Sequence, residues 1–511
     1  MGEQYVLGID AGTSSAKVGL VASDGTLVRV VSEGYPMSSP HPGWTEQSAD
    51  DWWSAARKAV RQAVEGIEPH AVLGIGLSNA GGSMVALDAQ GRPVRPAFVW
   101  LDARSTGVAE RMIADLGHDF WVSHLGHASL GFSMLAKLVW LREYEPAVYA
   151  RIAKVCQPSD YMVYRLTGEA VTDRSTACAT GVYNLLSGEF DPAILAATRI
   201  PPELLPRLEH SGTVAGHVSA EAAAELGLMA GTPVVLGAWD QVCAVVGAGS
   251  ESGQDALLSA GTAWTLAIPT AQVRIADSRA RVWTVQHARR GQTVLMIAMS
   301  NGGACVEWYR RAFPASQGEQ EGGKDEHGDL RGLPKGVAHT PPGSNGVLFL
   351  PHLIGAAGIH NEPEYSGCIL GLKHGTGQAE VFRAVLEGVA YEVRWSLETL
   401  REIGVPTPAL RLVGGATRSP IWPQIVADVT GLEVRVPAQT ECAVLGAARL
   451  AQEAVGVAQG SSAEAARIAR SFQPHAGAVA AYERYYAVYK LAHIALKETL
   501  GRLKAAGTAG S

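Results

Sequence analysis

Cysteine is scarce and isolated: six residues in 511, Cys156, Cys178, Cys243, Cys305, Cys368 and Cys442, with no Cys-x-x-Cys spacing. That pattern builds neither a zinc ribbon nor a dithiol redox motif, and the thiols read as reduced and mostly buried. Basic charge is also short. Lys and Arg number 42 against 49 Asp and Glu, a net charge of −7, and no basic run offers a nucleic-acid footprint. No segment approaches the roughly 18 uninterrupted apolar residues of a spanning helix, so no membrane partner is expected. The chain enters a strand pattern soon after Met1, without a basic stretch leading into an apolar one, and a cytoplasmic location is therefore expected. Three catalytic signatures are missing as well. The absence of Gly-x-x-x-x-Gly-Lys-Ser/Thr, Gly-x-Ser-x-Gly and His-Glu-x-x-His removes the usual support for P-loop, serine-hydrolase and zinc-protease chemistry. His118, His124 and His127 lie near one another but lack metal-ligand spacing, and read as surface or capped histidines.

What is present describes a large globular chain. With 47% hydrophobic and 18% charged residues it can bury substantial cores, and its length suits two large domains. The run Gly237 to Gly247 sets one carboxylate, Asp240, directly after the apolar strand pattern Pro233 to Leu236 and at the head of a Gly/Ala-rich helix over 241–247. Open α/β sheets bind ligands at that place, although Asp is also a favoured helix cap. Two similar loops accompany it. Tyr5 to Asp10 runs into Ala11-Gly12-Thr13-Ser14-Ser15, Ala256 to Ser259 runs into Ala260-Gly261-Thr262-Ala263, and each is followed by another β-rich run. Small residues at such a turn let backbone N–H groups approach an anion, and the recurrence predicts two homologous halves closing on one phosphate chain.

The remaining patterns fill in the frame. Ser48 and Asp51 form a capping-box signal before a helix bearing Trp52, Ala56, Ala59 and Ala63 on one stripe, which makes the tryptophans core. Val72 to Ser78 reads as a strand ending in Asn79-Ala80-Gly81-Gly82, and Arg95 to Trp100 leads into Leu101-Asp102-Ala103-Arg104. Val381 to Glu402 predicts a long helix. Leu410 to Val413 predicts a strand ending in Gly414-Gly415-Ala416-Thr417-Arg418-Ser419 before a helix through Thr430, and paired glycines there admit a flat or anionic ligand to the backbone. A break is expected near Gly247 to Gly253, a mobile surface excursion over Pro314 to Gly346, and a frayed tail over Ala505 to Ser511.

Gly8-Ile-Asp-Ala-Gly-Thr13, Trp44-Thr-Glu-Gln47, Lys137-Leu-Val-Trp140, Pro158-Ser-Asp-Tyr161 with Leu166-Thr-Gly168, the Asp240 segment, Arg383-Ala-Val-Leu-Glu-Gly388 and Leu445-Gly-Ala-Ala448 occur in this order across nearly the whole chain. Together they resemble the FGGY family of carbohydrate kinases, and within it the xylulokinase branch. The resemblance implies an α/β fold of two ribonuclease-H-like, actin-like ATPase domains with an interdomain cleft. An N-terminal FGGY domain (1–247) would hold the sugar and the catalytic base, a C-terminal FGGY domain (248–505) the nucleotide, and 506–511 a disordered tail. ATP and Mg²⁺ are the implied cofactors and a small sugar the implied partner; a homodimer is left open.

In the roles the resemblance implies, Asp240 is the base and Asp10 holds Mg²⁺ through water. Thr13, Gly261 and Thr262 line the phosphates, Gly414, Gly415 and Ala416 lie against the adenosine, and Gly12, Ser14, Gly302, Gly303 and Ser419 complete the nucleotide site. Asn79, Gly81, Gly82, Trp100, Asp102, Arg104 and Asp240 form the sugar side. Relatives usually carry Gln-Met-His-Gly where this chain has Asn79-Ala80-Gly81-Gly82, Asn where it has Leu101, and Gly-Glu-Arg where it has Gly355-Ala356-Ala357. Loss of the Met and His side chains is expected to enlarge the sugar pocket and delete polar contacts. The expected reaction is ATP-dependent phosphorylation of D-xylulose to D-xylulose 5-phosphate. Another ketose, an erythritol-like polyol and gluconate are the alternative acceptors, and a non-catalytic sugar- or nucleotide-binding regulator is the alternative of another class.

Overall fold

The run Tyr5–Ala11 (β1) is buried along nearly its whole length, as an apolar strand covered on both faces must be. It turns into the antiparallel β2 (Ser15–Ala22), which pairs with β3 (Leu27–Gly34), where half-buried and exposed residues alternate. On the other side of β1 lie β4 (Val72–Asn79), parallel to β1, and then β6 (Pro233–Trp239), parallel to β4. β5 (Val214–His217) closes that edge antiparallel to β6. The order is β5-β6-β4-β1-β2-β3. The computed structural model describes residues 3–250, 255–273, 275, 281–314, 324–325, 328–329, 333–362, 364–405, 407–457 and 467–508. Residues 251–253 of the expected break, residues 315–323, 326–327 and 330–332 of the 314–346 excursion and the last three residues of the tail lie outside the described residues.

The chain divides into two compact units. The first comprises Met1–Glu251, Pro269–Leu295 and Glu441–Ala466; the second comprises Ser252–Ile268, Met296–Thr440 and Arg467–Ser511. In the first unit, helix α1 (Ala49–Ala63) begins where the capping pattern predicts, with Ser48 accepting from the Asp51 N–H, and it buries Trp52, Ala56, Ala59 and Ala63. α2 (Pro158–Thr167) and α3 (Asp240–Gly247) belong to the same unit. So does the helix Cys442–Ala454, which lies directly on glycines of β1 and β4. A Cβ at Gly8 would fall 2.1 Å from the Val444 carbonyl oxygen, and one at Gly76 would fall 1.9 Å from that of Ala447. The glycines of these strands are therefore fixed by helix-to-sheet packing.

The second unit repeats the path. β7 (Ala256–Ala260) and β8 (Trp264–Thr270) form a hairpin about Gly261 to Ala263. β7 then pairs in parallel with β9 (Ala409–Val413), β9 with β10 (Glu433–Pro437), and β10 antiparallel with β11 (Ile468–Phe472). A hairpin with a small-residue turn followed by two parallel strands is what β1, β2, β4 and β6 make in the first unit. The two recurrent loops in the sequence are thus equivalent turns of two ribonuclease-H-like α/β units. α4 (Gly303–Ala312), α5 (Gln378–Glu402), α6 (Trp422–Thr430) and α7 (Ala476–Thr508) cover the second sheet's unit. α5 starts three residues before the apolar pattern because the Glu380 carboxylate accepts from the Gly377 N–H at 3.1 Å and caps it there. α7 continues through Thr508, past the point where fraying is expected. Five of the six cysteines are buried and none is bridged. Among the described residues no helix is long and apolar enough to cross a membrane.

Candidate functional site

Parallel register brings the carboxyl ends of three strands level. Ala11 and Trp239 both pair with Asn79, so Asp10, Asn79 and Asp240 arrive together at one edge of the first sheet. Asp10 accepts from Ser78 Oγ at 2.9 Å through Oδ1, and Asp240 accepts from the Gln241 N–H at 2.7 Å. Both residues are partly exposed, yet each carboxyl is packed among enough protein that burial raises its pKa. The negative charge of Asp10 pushes Asp240 further, to about 8. A carboxyl poised this high beside a second carboxylate is a proton acceptor tuned for neutral pH. The pair is also a donor set that a hard divalent cation would relieve, and Asp10 keeps Oδ2 outside its Ser78 bond; these residues fit Mg²⁺ with oxygen ligands.

The turn after β1 is held from three sides. Tyr35 donates its hydroxyl to the Gly12 carbonyl, Gln47 Nε2 donates to the Thr13 carbonyl at 2.8 Å, and the Trp100 indole N–H donates to Thr13 Oγ1 at 2.9 Å. Gln47 is itself fixed by Trp52 Nε1 at 2.9 Å. Trp100 is therefore a support of the Gly12-Thr13-Ser14 turn.

The Asn79 loop is closed, not enlarged. Asn79 is fully buried, and its Oδ1 accepts from Ser159 Oγ and, at 3.4 Å, from Thr176 Oγ1; its Nδ2 has no partner among the described residues. Gln157, just before α2, accepts from the Gly82 N–H at 2.8 Å and donates to the Thr176 carbonyl at 2.8 Å. A Cβ at Gly81 would lie 2.8 Å from the Trp239 indole, and one at Gly82 would lie 2.6 Å from the Phe132 ring. Phe132 stacks between Trp239 and Trp283, with centroids 6.4 and 5.2 Å away. The expectation of a larger pocket is thus corrected: aromatic rings occupy the room next to the glycines.

Asp102 and Arg104 are buried too, with side chains 0% and 1% exposed. They bind each other in two places, Nε to Oδ1 at 2.8 Å and Nη2 to Oδ2 at 2.7 Å, and Asp102 also accepts from the Thr45 N–H at 2.6 Å. Arg104 reaches Glu46 at 2.7 Å, and its guanidinium lies 3.6 Å from the Trp44 ring centroid. Lys137 is buried nearby, donates to the Phe132 carbonyl, and is brought down to about 7 by burial. The Trp44-Thr-Glu-Gln47 and Lys137-Leu-Val-Trp140 motifs thus supply a sealed cage of charge and aromatic rings behind the loops.

In the second unit the glycine loops meet one another. The Gly303 and Ala304 N–H groups donate to the Gly261 and Thr262 carbonyls, each at 3.0 Å. A Cβ at Gly302 would strike Trp264, and one at Gly414, whose φ is 89°, would lie 2.8 Å from the Ala260 carbonyl oxygen. Gly415 opens a 3-10 turn to Arg418 in which Ala416 is buried. Ser419 accepts from the Trp422 N–H at 3.1 Å and so holds the start of α6. Gly261 and Thr262 remain exposed.

Sequence reasoning missed Ser78, Phe132, Gln157, Gln241 and Trp283. Gln157 carries a usable signal, since Gln157 with Asp160 is a capping box with Pro at the first helical position. Phe132 and Trp283 carry none, being joined only by the fold.

The profile of the FGGY family of carbohydrate kinases, N-terminal domain, matches residues 5–247, and that of the C-terminal domain matches residues 256–455. The chain is 33% identical over 477 residues to the xylulose kinase of Streptomyces rubiginosus, covering 93% of this chain and 92% of that one. It is 30% identical over 448 residues to the xylulose kinase of Escherichia coli K12, covering 87% and 89%. The crystal structure of xylulose kinase from Rhodospirillum rubrum superposes with a TM-score of 0.85 at 28% identity, covering 97% of this chain and all of that one. With both family domains matched in order and the carboxylate pair at the strand ends, the chain belongs to the FGGY family of carbohydrate kinases and transfers a phosphoryl group from ATP to a sugar hydroxyl.

Proposed function

We propose that this kinase converts D-xylulose to D-xylulose 5-phosphate, with Asp240 as general base. The observation that carries the mechanism is Asp240 beside Asp10 at the strand ends, its carboxyl raised to about 8. The Asp240 carboxylate takes the proton of the acceptor hydroxyl while that oxygen forms its bond to the γ-phosphorus. The bond from the γ-phosphorus to the bridging oxygen breaks, and ADP leaves. Asp10 would hold Mg²⁺, which supplies charge neutralisation to the phosphates when bound. Gly12, Thr13 and Ser14 in the first unit, and Gly261, Thr262, Gly302 and Gly303 in the second, are assigned to phosphate; Gly414, Gly415, Ala416 and Ser419 are assigned to the nucleoside side. Residues 1–247 then serve as the sugar domain and 248–505 as the nucleotide domain, in a cytoplasmic enzyme.

On the sugar side, Trp100 and Gln241 are the direct contacts. Gln241 Oε1 is buried without a partner among the described residues and is free to accept from a sugar hydroxyl. Asn79, Gly81, Gly82, Asp102 and Arg104 act through the loops they hold. The named xylulose kinases among the relatives support the substrate. Coupled ADP release with MgATP across D-xylulose, D-ribulose, L-xylulose, erythritol, xylitol, glycerol and gluconate tests it. D-xylulose should stand out by decades in kcat/KM, and a higher value for a polyol or gluconate would replace it as the substrate.

A further inference from the structure

The second unit holds a buried cluster that phosphoryl transfer does not use. One ring nitrogen from each of His352, His360 and His493 lies within 4.8 Å of the other two. His352 follows the strand Leu348–Leu350, His360 lies in the loop beyond it, and His493 projects from α7. Glu392, from the middle of α5, completes the group: its Oε2 is 3.0 Å from His360 Nε2 and its Oε1 is 3.9 Å from His352 Nε2. His352 Nε2 and His493 Nδ1 face each other at 3.2 Å. In a tetrahedral site with metal–ligand bonds of about 2.0–2.1 Å, neighbouring ligand atoms lie about 3.3–3.4 Å apart. The observed separations bracket that spacing.

We propose that His352, His360, His493 and Glu392 form a closed structural site for one divalent transition-metal ion of the zinc class.

The surroundings have the form such a site needs. His493 Nε2 lies 3.2 Å from Glu362 Oε2, an ion-pair contact on the far side of the ring that leaves Nδ1 turned to the cluster. Tyr489 donates to Glu392 Oε1 at 2.6 Å, and Tyr365 stacks flat on His493 at 4.5 Å. Three imidazoles and one carboxylate without a thiolate favour Zn²⁺ over softer ions. The four side chains are only 2–9% exposed, so no position stays open for a substrate, and the ion would staple α7 to α5 and to the 352–360 loop. This assignment is independent of the kinase substrate.

The test uses the full chain, purified without a polyhistidine tag, stripped with dipicolinate and desalted. Cobalt(II) titration should show one equivalent bound per chain, with the intense visible bands of a tetrahedral ion that one equivalent of Zn²⁺ abolishes. Zn²⁺ at a hundredfold excess over its Kd should raise Tm by about 5 °C. X-ray absorption of the cobalt protein, which needs no variant, should give a shell of three imidazole nitrogens and one oxygen. His360→Gln should lose the bands while keeping MgATP-dependent turnover. Less than a tenth of an equivalent bound, a shell without imidazole, or unchanged bands in His360→Gln would overturn the proposal.

Discussion

Asp240→Asn keeps the size and the Gln241 N–H bond of the wild-type side chain and removes only the ability to take a proton. A general base contributes about 10²- to 10⁴-fold, so turnover should fall by that factor, roughly 3–5 kcal/mol of transition-state stabilisation. The carboxyl at about 8 adds a sharper requirement. With that pKa only about a tenth of the Mg²⁺-free enzyme carries the base ionised at pH 7, so about tenfold is the upper bound on the rise of kcat/KM for the sugar between pH 7 and 9. Mg²⁺ beside Asp10 cancels the smaller, Coulombic cause of the shift and leaves burial, the larger one, so the inflection moves down but stays above the ordinary carboxylate range. Stability moves the other way. Asp240 is raised above its unfolded value, so its contribution is fully present below pH 4 and is lost as pH rises through about 8. Without Mg²⁺, Asp240→Asn should therefore melt higher than wild type at pH 8.5, with the gap closing toward pH 4. A coupled assay from pH 5.5 to 9.5 and melting curves at both ends check the set. Turnover within fivefold of wild type, or a flat wild-type kcat/KM profile, would refute the base assignment.

Three further outcomes follow from the geometry. Asp102→Asn leaves the buried Arg104 guanidinium short of one charge and should destabilise the protein by about 3–5 kcal/mol in urea unfolding; a raised sugar KM with stability unchanged would instead put Asp102 on the substrate. Trp100→Phe keeps a ring but removes the N–H to Thr13 Oγ1, and loss of one such bond should raise KM for ATP by roughly 2- to 12-fold. If the sugar KM alone responds, Trp100 is a sugar wall rather than a support of the turn. Gly81→Ala drives a methyl to 2.8 Å from the Trp239 ring, and overpacking there should cost about 1–3 kcal/mol in stability; an unchanged melting curve would mean that the aromatic stack gives way.

The fold was legible wherever period and punctuation agreed. β1 is an apolar run ending in a small-residue turn, α1 has its cap and stripe, and the Gly12-Thr13 and Gly261-Thr262 turns recur at equivalent places in two sheets. Asp240 was legible for the same reason, as a carboxylate at a strand end opening a helix. Burial of the polar residues was not. Asn79, Asp102 and Arg104 stand at strand ends and loops, where polar side chains ordinarily meet solvent, and only the fold shows each one sealed by partners from Ser159, Thr45 and Glu46. The histidine cluster was invisible because His352 and His493 are separated by 141 residues and join only when α7 returns to the second unit.

Those sealed residues bear directly on substrate choice. A site that discriminates through hydrogen bonds does so by leaving its own polar atoms unpaired when the wrong ligand enters. Asn79 spends its oxygen on Ser159 and Thr176, and Asp102 spends both of its oxygens on Arg104 and Thr45, so neither has an acceptor left to judge a sugar. On the proposed assignment, selection then falls on the Asp240 carboxyl, the Trp100 face and the two amide atoms buried without partners among the described residues, Gln241 Oε1 and Asn79 Nδ2. Exchanging Gly81 for the bulkier residue of relatives cannot restore a lost contact, because Trp239 already fills that space. On that assignment, a change of acceptor should be sought at Gln241, at Asn79 Nδ2 and along the Phe132 stack rather than at Gly81.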